Sequence, residues 1–109
     1  MILSTTDSIQ GQNIQGYLGI VTAEVVYGSN VLRDFFAGIR DFWGGRTGSY
    51  ERIFEKGHQD ALRELQERAQ RLGADAVIGI HMKTDTINLD ETGVLMLITA
   101  TGTAVRLVS

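Results

Sequence analysis

The stretch Leu72-Gly73-Ala74-Asp75-Ala76-Val77-Ile78-Gly79-Ile80-His81-Met82-Lys83-Thr84 contains the change of period that decides the fold. Before it, apolar residues recur at helical spacing; within it they alternate. Gly73 suits the position just past a helix, where a left-handed residue ends the last turn. From Ala74 to Thr84 the alternation predicts a strand. Ala76, Ile78, Ile80 and Met82 are expected on its inward face, with Val77, Gly79, His81 and Lys83 on the other.

Upstream, Ser49 to Leu72 predicts a long helix with the apolar stripe Phe54, His58, Ala61, Leu62, Leu65, Ala69 and Leu72. Glu64 with Arg68, and Glu67 with Arg71, stand at i,i+4 in the favourable orientation. Gly57 sits mid-helix at a cost of about 1 kcal/mol against Ala, which points to close packing or a bend. Such a helix extends ~36 Å at ~1.5 Å per residue. A compact chain of this size has a radius of gyration of only ~13 Å, so the helix overhangs its own subunit and needs a neighbour.

Gly44-Gly45-Arg46-Thr47-Gly48-Ser49 precedes the helix and is the one glycine-rich loop; Thr47 or Ser49 can cap the long helix, and Glu51 is expected in its first turn. Before the loop, Leu32, Phe35, Phe36, Ile39, Phe42 and Trp43 predict a short amphipathic helix. Tyr17 to Tyr27 predicts a strand with two largely apolar faces, both expected to be covered. Met1 to Gly16 is read as short strands joined by a turn near Gln10-Gly11. Downstream, Asp85 to Gly93 reads as a polar loop. Val94 to Val108 is a long final strand with no charge on either face before Arg106, and Gly102 in it suggests a bulge or bend. A strand apolar on both faces is most simply buried by another subunit. Strand, two helices and two strands give α+β, with the last two strands antiparallel and one short and one long helix on the sheet.

With 109 residues the chain is one domain, 1–109. It has no Cys, and so no disulfide frame, thiolate metal site or Cys nucleophile. A net charge of −3 argues against nucleic acid, and residues 33–56 mix five basic with four acidic side chains. The longest apolar run, Val94 to Ile98, is far below the ~20 residues of a membrane span. Met1-Ile2-Leu3 leads into Ser4-Thr5-Thr6-Asp7 with no signal-peptide pattern, so a cytoplasmic protein is expected.

Three constellations can carry chemistry. His58 and His81 are the only imidazoles, 23 residues apart, so a divalent metal would need them to converge or to meet symmetry copies. The bland alternatives are a packed His58 with one nitrogen satisfied, and a His81 beside Lys83 that repels cations. The Arg46 loop offers helix-start N–H groups and a guanidinium to an anion, or is a plain turn; it is neither a Walker loop nor G-x-G-x-x-G. Glu24 stands in an apolar strand. It either pairs with Arg33, Arg40 or Arg46, or it serves a ligand or a proton. No nucleophile motif is present, so no enzyme is expected.

These residues together resemble the YbjQ-like family over nearly the whole length. The likeness rests on Gly19, Glu24, Gly28 to Asn30, Arg33-Asp34-x-x-Ala37, Gly44-Gly45-Arg46, Tyr50-Glu51, Gly73 to Gly79 and Gly102-Thr103-Ala104-Val105. The resemblance implies a dodecin-like α+β subunit in a cyclic homo-oligomer, a pentamer or stacked pentamers, and the label "putative heavy-metal-binding". It singles out Glu24, Arg33, Asp34, Arg46, Tyr50 and Glu51 as ligand-binding or interface residues. Where family members carry an Asp-x-Asp-Tyr-Glu pattern, this chain reads His81-Met82-Lys83-Thr84-Asp85, and a frequent Ala-Arg on the long helix becomes Gly57-His58. Three functions are expected in turn: an oligomeric binding protein for a metal or small ligand, a scaffolding ring without ligand, and an enzyme using Glu24 and Arg46.

Overall fold

The structure, a computed structural model, describes residues 1–28, 47–88 and 93–108; the side chains of residues 47–51 and 94 are outside the description. The expected short helix from Leu32 to Trp43 lies outside these residues. Strands β1 (Ile2–Leu3), β2 (Ile14–Tyr27), β3 (Ala76–Asn88) and β4 (Val94–Leu107) accompany helix α1 (Thr47–Arg71). The sheet order is β1-β3-β4-β2. β4 is antiparallel to both long neighbours, as expected for β3. The class is α+β, but the sheet is mixed rather than purely antiparallel, because β1 runs parallel to β3. Ser4 N–H donates to Val77 O at 2.9 Å, and Gly79 and Ile80 N–H donate to Thr6 and Ser4 carbonyls at 2.8 and 3.0 Å. The N-terminal segment thus clamps the start of β3, a long-range pairing that local periodicity does not reveal. The expected turn at Gln10-Gly11 is present, closed by Gln12 N–H to Ile9 O at 3.0 Å.

Helix α1 begins at Thr47, two residues before the expected start, so Glu51 falls beyond its first turn. It ends as read. Gly73 has φ +82°, Gly73 N–H donates to Gln70 O and Ala74 N–H to Ala69 O, which together close the helix. Its buried line is Ile53, Gly57, Ala61, Leu65 and Ala69, a strict i,i+4 row. Ile53 is absent from the expected stripe, and Leu72, included in it, is 48% exposed because the chain has already left the helix. Gly57 is a close-packing residue. A Cβ there would overlap Ile98 Cδ1 and stand 3.1 Å from Tyr27 Cε2. The Cα radius of gyration is 17.1 Å, above the ~13 Å of a compact chain, in keeping with a long helix on a small sheet.

The main core lies between α1 and the sheet, where Val21, Ala23, Met96, Ile98, Ala100 and Ala104 meet the helix row. The face assignment of β3 differs from the simple alternation. The register runs Ile78 to Thr103 and then His81 to Thr101, so β3 carries one extra residue. Gly79, at φ +62°, forms the bulge. Val77 and Ile80 therefore both point at α1, while Ala76 and Ile78 join Val105 in a second cluster on the far face with Ile9, Ile14 and Leu107. Gly102 stands opposite this bulge, in regular register with Val21. A Cβ on it would come within 2.6 Å of Val77 Cγ1 and 3.1 Å of Ile80 Cγ1. The bulge that Gly102 signals is thus on the partner strand. Strand β3 also continues to Asn88, through half of the stretch read as a polar loop.

Beyond the cluster of Ala76, Ile78 and Val105 with Ile9, Ile14 and Leu107, the far face of the sheet is exposed among the described residues. Ile20 is 80% exposed, Val26 55% and Ile87 43%, so the expectation that both faces of β2 are covered fails within one chain. No described helix is long and apolar enough to cross a membrane.

Candidate functional site

The strand pairing fixes which polar residues share the open face. Glu24 pairs with Thr99, and Thr99 with Lys83. One row away, Thr22 pairs with Thr101, and Thr101 with His81. A carboxylate and an ammonium thus flank a band of threonine hydroxyls. With strands ~4.8 Å apart, Glu24 and Lys83 are ~10 Å apart in backbone position. Glu24 is exposed, as are His81 and Lys83. Lys83 Nζ approaches Asp85 Oδ2 at 3.7 Å, a loose and solvated pair. Glu24 is therefore not a buried charge in an apolar strand. The alternation that places Val21 and Ala23 under α1 carries Glu24 to the opposite side.

His58 and His81 do not converge. His58 is half-buried between α1 and β3, with Nε2 3.1 Å from Thr84 Oγ1. His81 is on the other side of β3. It lies at the rim of a mainly apolar pocket of about 540 Å³ that includes Leu3, Leu62, Ile80 and Met82. Among the described residues no three His, Asp or Glu side chains gather in a way that could hold a metal. The donor set of one chain's described residues does not fit a metal ion. Arg33, Asp34 and Arg46 lie outside the described residues; Tyr50 and Glu51 are in α1, with side chains outside the description.

Sequence reasoning missed the most elaborate polar cluster. Asp60 accepts from Tyr27 Oη at 2.6 Å, Lys56 Nζ at 2.8 Å and Arg63 Nη2 at 2.7 Å. The lysine and tyrosine hydrogen bonds hold the Asp60 carboxyl below its ordinary range, against the effect of burial. Burial, reinforced by the Asp60 hydrogen bond, pushes the Tyr27 phenol well above its ordinary 10.0. The i,i+4 spacing of Lys56 and Asp60 and the i,i+3 spacing of Asp60 and Arg63 were legible; the partner Tyr27, 33 residues away, was not. Glu64 pairs with Arg68 at 2.7 Å as expected, whereas no ion pair joins Glu67 and Arg71 among the described residues. Arg68 Nη1 also donates to the Thr22 carbonyl on the edge strand β2.

Among the described residues that carried the resemblance, Gly19, Glu24 and Gly102 belong to the β2–β4 ladder, and the stretch from Gly73 to Gly79 holds the helix stop and the bulge. A family model described as "Putative heavy-metal-binding", the YbjQ-like model, matches residues 1–108. The chain belongs to the YbjQ-like family. A UPF0145 protein of Picosynechococcus sp. (strain PCC 7002) is 74% identical over 107 residues, covering 98% of this chain and 99% of that protein. The UPF0145 protein of Nostoc punctiforme is 72% identical with the same coverage. One from Synechococcus sp. (strain JA-2-3B'a(2-13)) is 52% identical, again over 98% and 99%. In solved structures, a DUF74-family protein of unknown function from Pediococcus pentosaceus superposes with a TM-score of 0.67. It is 16% identical and covers 99% of this YbjQ-like chain and 98% of its own, a likeness of fold alone.

Proposed function

We propose that this YbjQ-like chain is a non-enzymatic subunit of a cytoplasmic homo-oligomer that binds a small ligand or a divalent metal. The observation that carries the reading is the open sheet face. Ile20, Val26 and Ile87 expose apolar area around Glu24, His81 and Lys83, and a monomer gains nothing from that arrangement. The assembly proposed is the one the resemblance implies, a dodecin-like cyclic pentamer or two stacked pentamers. A metal site would draw donors from more than one subunit, with Glu24, Asp34 and either His58 or His81 as this chain's contributions, because no trio gathers among its own described residues.

A scaffolding ring without ligand is the second reading. It is favoured by the pairing of His58 with Thr84, and of Asp60 with three donors, which leaves these groups committed to the fold. An enzyme using Glu24 and Arg46 stands last, since no nucleophile motif accompanies them and Glu24 is an exposed carboxylate.

Native mass spectrometry of untagged protein, with elemental analysis of the same sample, tests the proposal. A fixed subunit number with a fixed metal count per assembly supports the metal reading. An assembly without metal, unchanged by zinc, copper or nickel, favours the scaffold or an organic ligand. A monomer refutes the assembly.

A further inference from the structure

We infer that the pocket beside the N-terminal clamp binds an aliphatic monocarboxylate, its chain lying against Leu62 and Met82 and its carboxylate held by His81. This rests on the small-ligand part of the reading above and names the site and the ligand class.

The pocket forms where the N-terminal segment leaves the edge of β3. Leu3 and Thr5 come from that segment, Leu62 from α1, and Ile80, His81 and Met82 from β3. Its volume, about 540 Å³, falls within the ~300–1,000 Å³ of small-molecule sites. Leu3, Leu62 and Met82 are only half-buried, so the fold leaves part of their apolar surface uncovered. Covering it with a hydrocarbon chain removes apolar area from water, and the unbranched thioether of Met82 adapts to the shape of such a chain.

Polar groups gather at the rim. Ile80 N–H donates to the Ser4 carbonyl at 3.0 Å, which brings the next residue of each segment, His81 and Thr5, to the same part of it. Ser4 Oγ is committed to Thr6, whose N–H donates to it at 3.1 Å. The side chains of Thr5 and His81 have no hydrogen-bond partner among the described residues. The main chain adds a donor. Val77, Ile80 and Met82 all turn their side chains towards α1, so strand alternation sends their backbone groups to one edge. Ser4 takes the Val77 carbonyl and the Ile80 N–H there. Strand β1 ends at Leu3, so no described strand covers the Met82 N–H.

This donor set selects the head group. No Asp or Glu among the described residues lines the pocket, so nothing there would hold an amine. An imidazole supplies an N–H donor in either protonation state, and a hydroxyl and a main-chain N–H supply two more. Lys83 follows His81 by two residues, ~7 Å along the strand, and lends one positive charge that it shares with Asp85 at 3.7 Å. That suits a single carboxylate. No arginine among the described residues lines the pocket to fork onto a phosphate.

Titration calorimetry of the full chain with octanoate and with octan-1-ol tests this, alongside methionine-methyl NMR spectra. Octanoate should bind saturably, one per subunit, and raise Tm with its concentration. The Met82 methyl signal should shift, and that of Met96, buried under α1, should not. His81→Val should weaken octanoate about tenfold and leave octan-1-ol unchanged, a split that a purely apolar pocket would not show. Leu62→Trp, which fills the pocket, should weaken both at least about tenfold, with circular dichroism to confirm folding; if that variant does not fold, the Met82 shift and the His81→Val split still decide. Octanoate that binds without shifting Met82, or that binds His81→Val as tightly as the parent, refutes this site and leaves a small ligand standing. Absence of saturable octanoate binding refutes the ligand class. The small-ligand reading itself falls only if native mass spectrometry of protein purified from cells also finds no bound organic molecule.

Discussion

Gly57 of α1 lies directly against Ile98 of β4, with no room for even a methyl group between helix backbone and side chain. This contact sets the depth at which the helix sits on the sheet. Gly57→Ala gains about 1 kcal/mol of helix propensity but forces Ile98 or the helix to move, at a cost of about 1–3 kcal/mol. The expected result is a lower Tm by thermal denaturation. Adding Ile98→Val should recover part of the loss, because it removes the methyl that the new Cβ meets. A Gly57→Ala protein as stable as the parent would show that the helix has another way to sit.

The bulge gives a second prediction. Gly102→Ala places a methyl within 2.6 Å of Val77 Cγ1, 3.1 Å of Ile80 Cγ1 and 3.2 Å of the Ile78 carbonyl. Two of these are β-branched side chains with little rotamer freedom. Destabilisation of about 1–3 kcal/mol in urea denaturation is expected. Gly79→Ala meets no atom within 4 Å, and its cost, about 1–2 kcal/mol, comes from φ +62° alone. Shortening Val77 to Ala should ease the Gly102→Ala defect and leave the Gly79→Ala defect unchanged.

The Tyr27–Asp60 bond predicts how stability varies with pH. The Asp60 carboxyl is lowered in the folded protein, so below its ordinary range of about 4 the unfolded chain takes up more protons. The contribution is present at neutral pH and is lost as pH falls through that range. The Tyr27 phenol is raised, so its contribution is present below its ordinary 10.0 and fades as pH rises beyond it. Asp60→Asn should lower neutral-pH stability by about 1–3 kcal/mol and flatten the acid limb of a stability profile. Tyr27→Phe should flatten the alkaline limb. Unchanged limbs in both variants would show that the cluster contributes nothing to folding.

Arg68 predicts an edge effect. Its guanidinium covers the Thr22 carbonyl and is held by Glu64 at 2.7 Å. Arg68→Ala should cost under about 1 kcal/mol in stability, as an exposed pair does. It should nevertheless increase light scattering at high protein concentration, because the carbonyl row of β2 becomes available to another strand. Scattering equal to that of the parent would show that the edge needs no guard.

Much of this was legible locally. The helix stop at Gly73, the antiparallel β3–β4 pair and the close packing at Gly57 each depend on a few neighbouring residues, since chain sterics and periodicity act over one or two turns. The candidate site was less legible. Glu24 looked buried because its neighbours Val25 and Val26 are apolar, yet strand alternation sends it to the open face. The Asp60 cluster was half visible on its own helix and lacked Tyr27, which only the packing of α1 on β2 supplies.

The division has a physical cause. By itself, the order of residues determined the α+β class, the helix and its end, the three long strands, the absence of cysteine chemistry and membership of the YbjQ-like family. Tertiary structure decided that β1 pairs parallel with β3, that a bulge at Gly79 turns Val77 and Ile80 to the same side, and that Glu24 and Lys83 share a row across Thr99. Such pairings join residues up to 74 positions apart in β1 and β3, and 75 apart for Glu24 and Thr99. Their register depends on which arrangement buries the most side chains on α1, a property of the whole chain that no local stretch encodes.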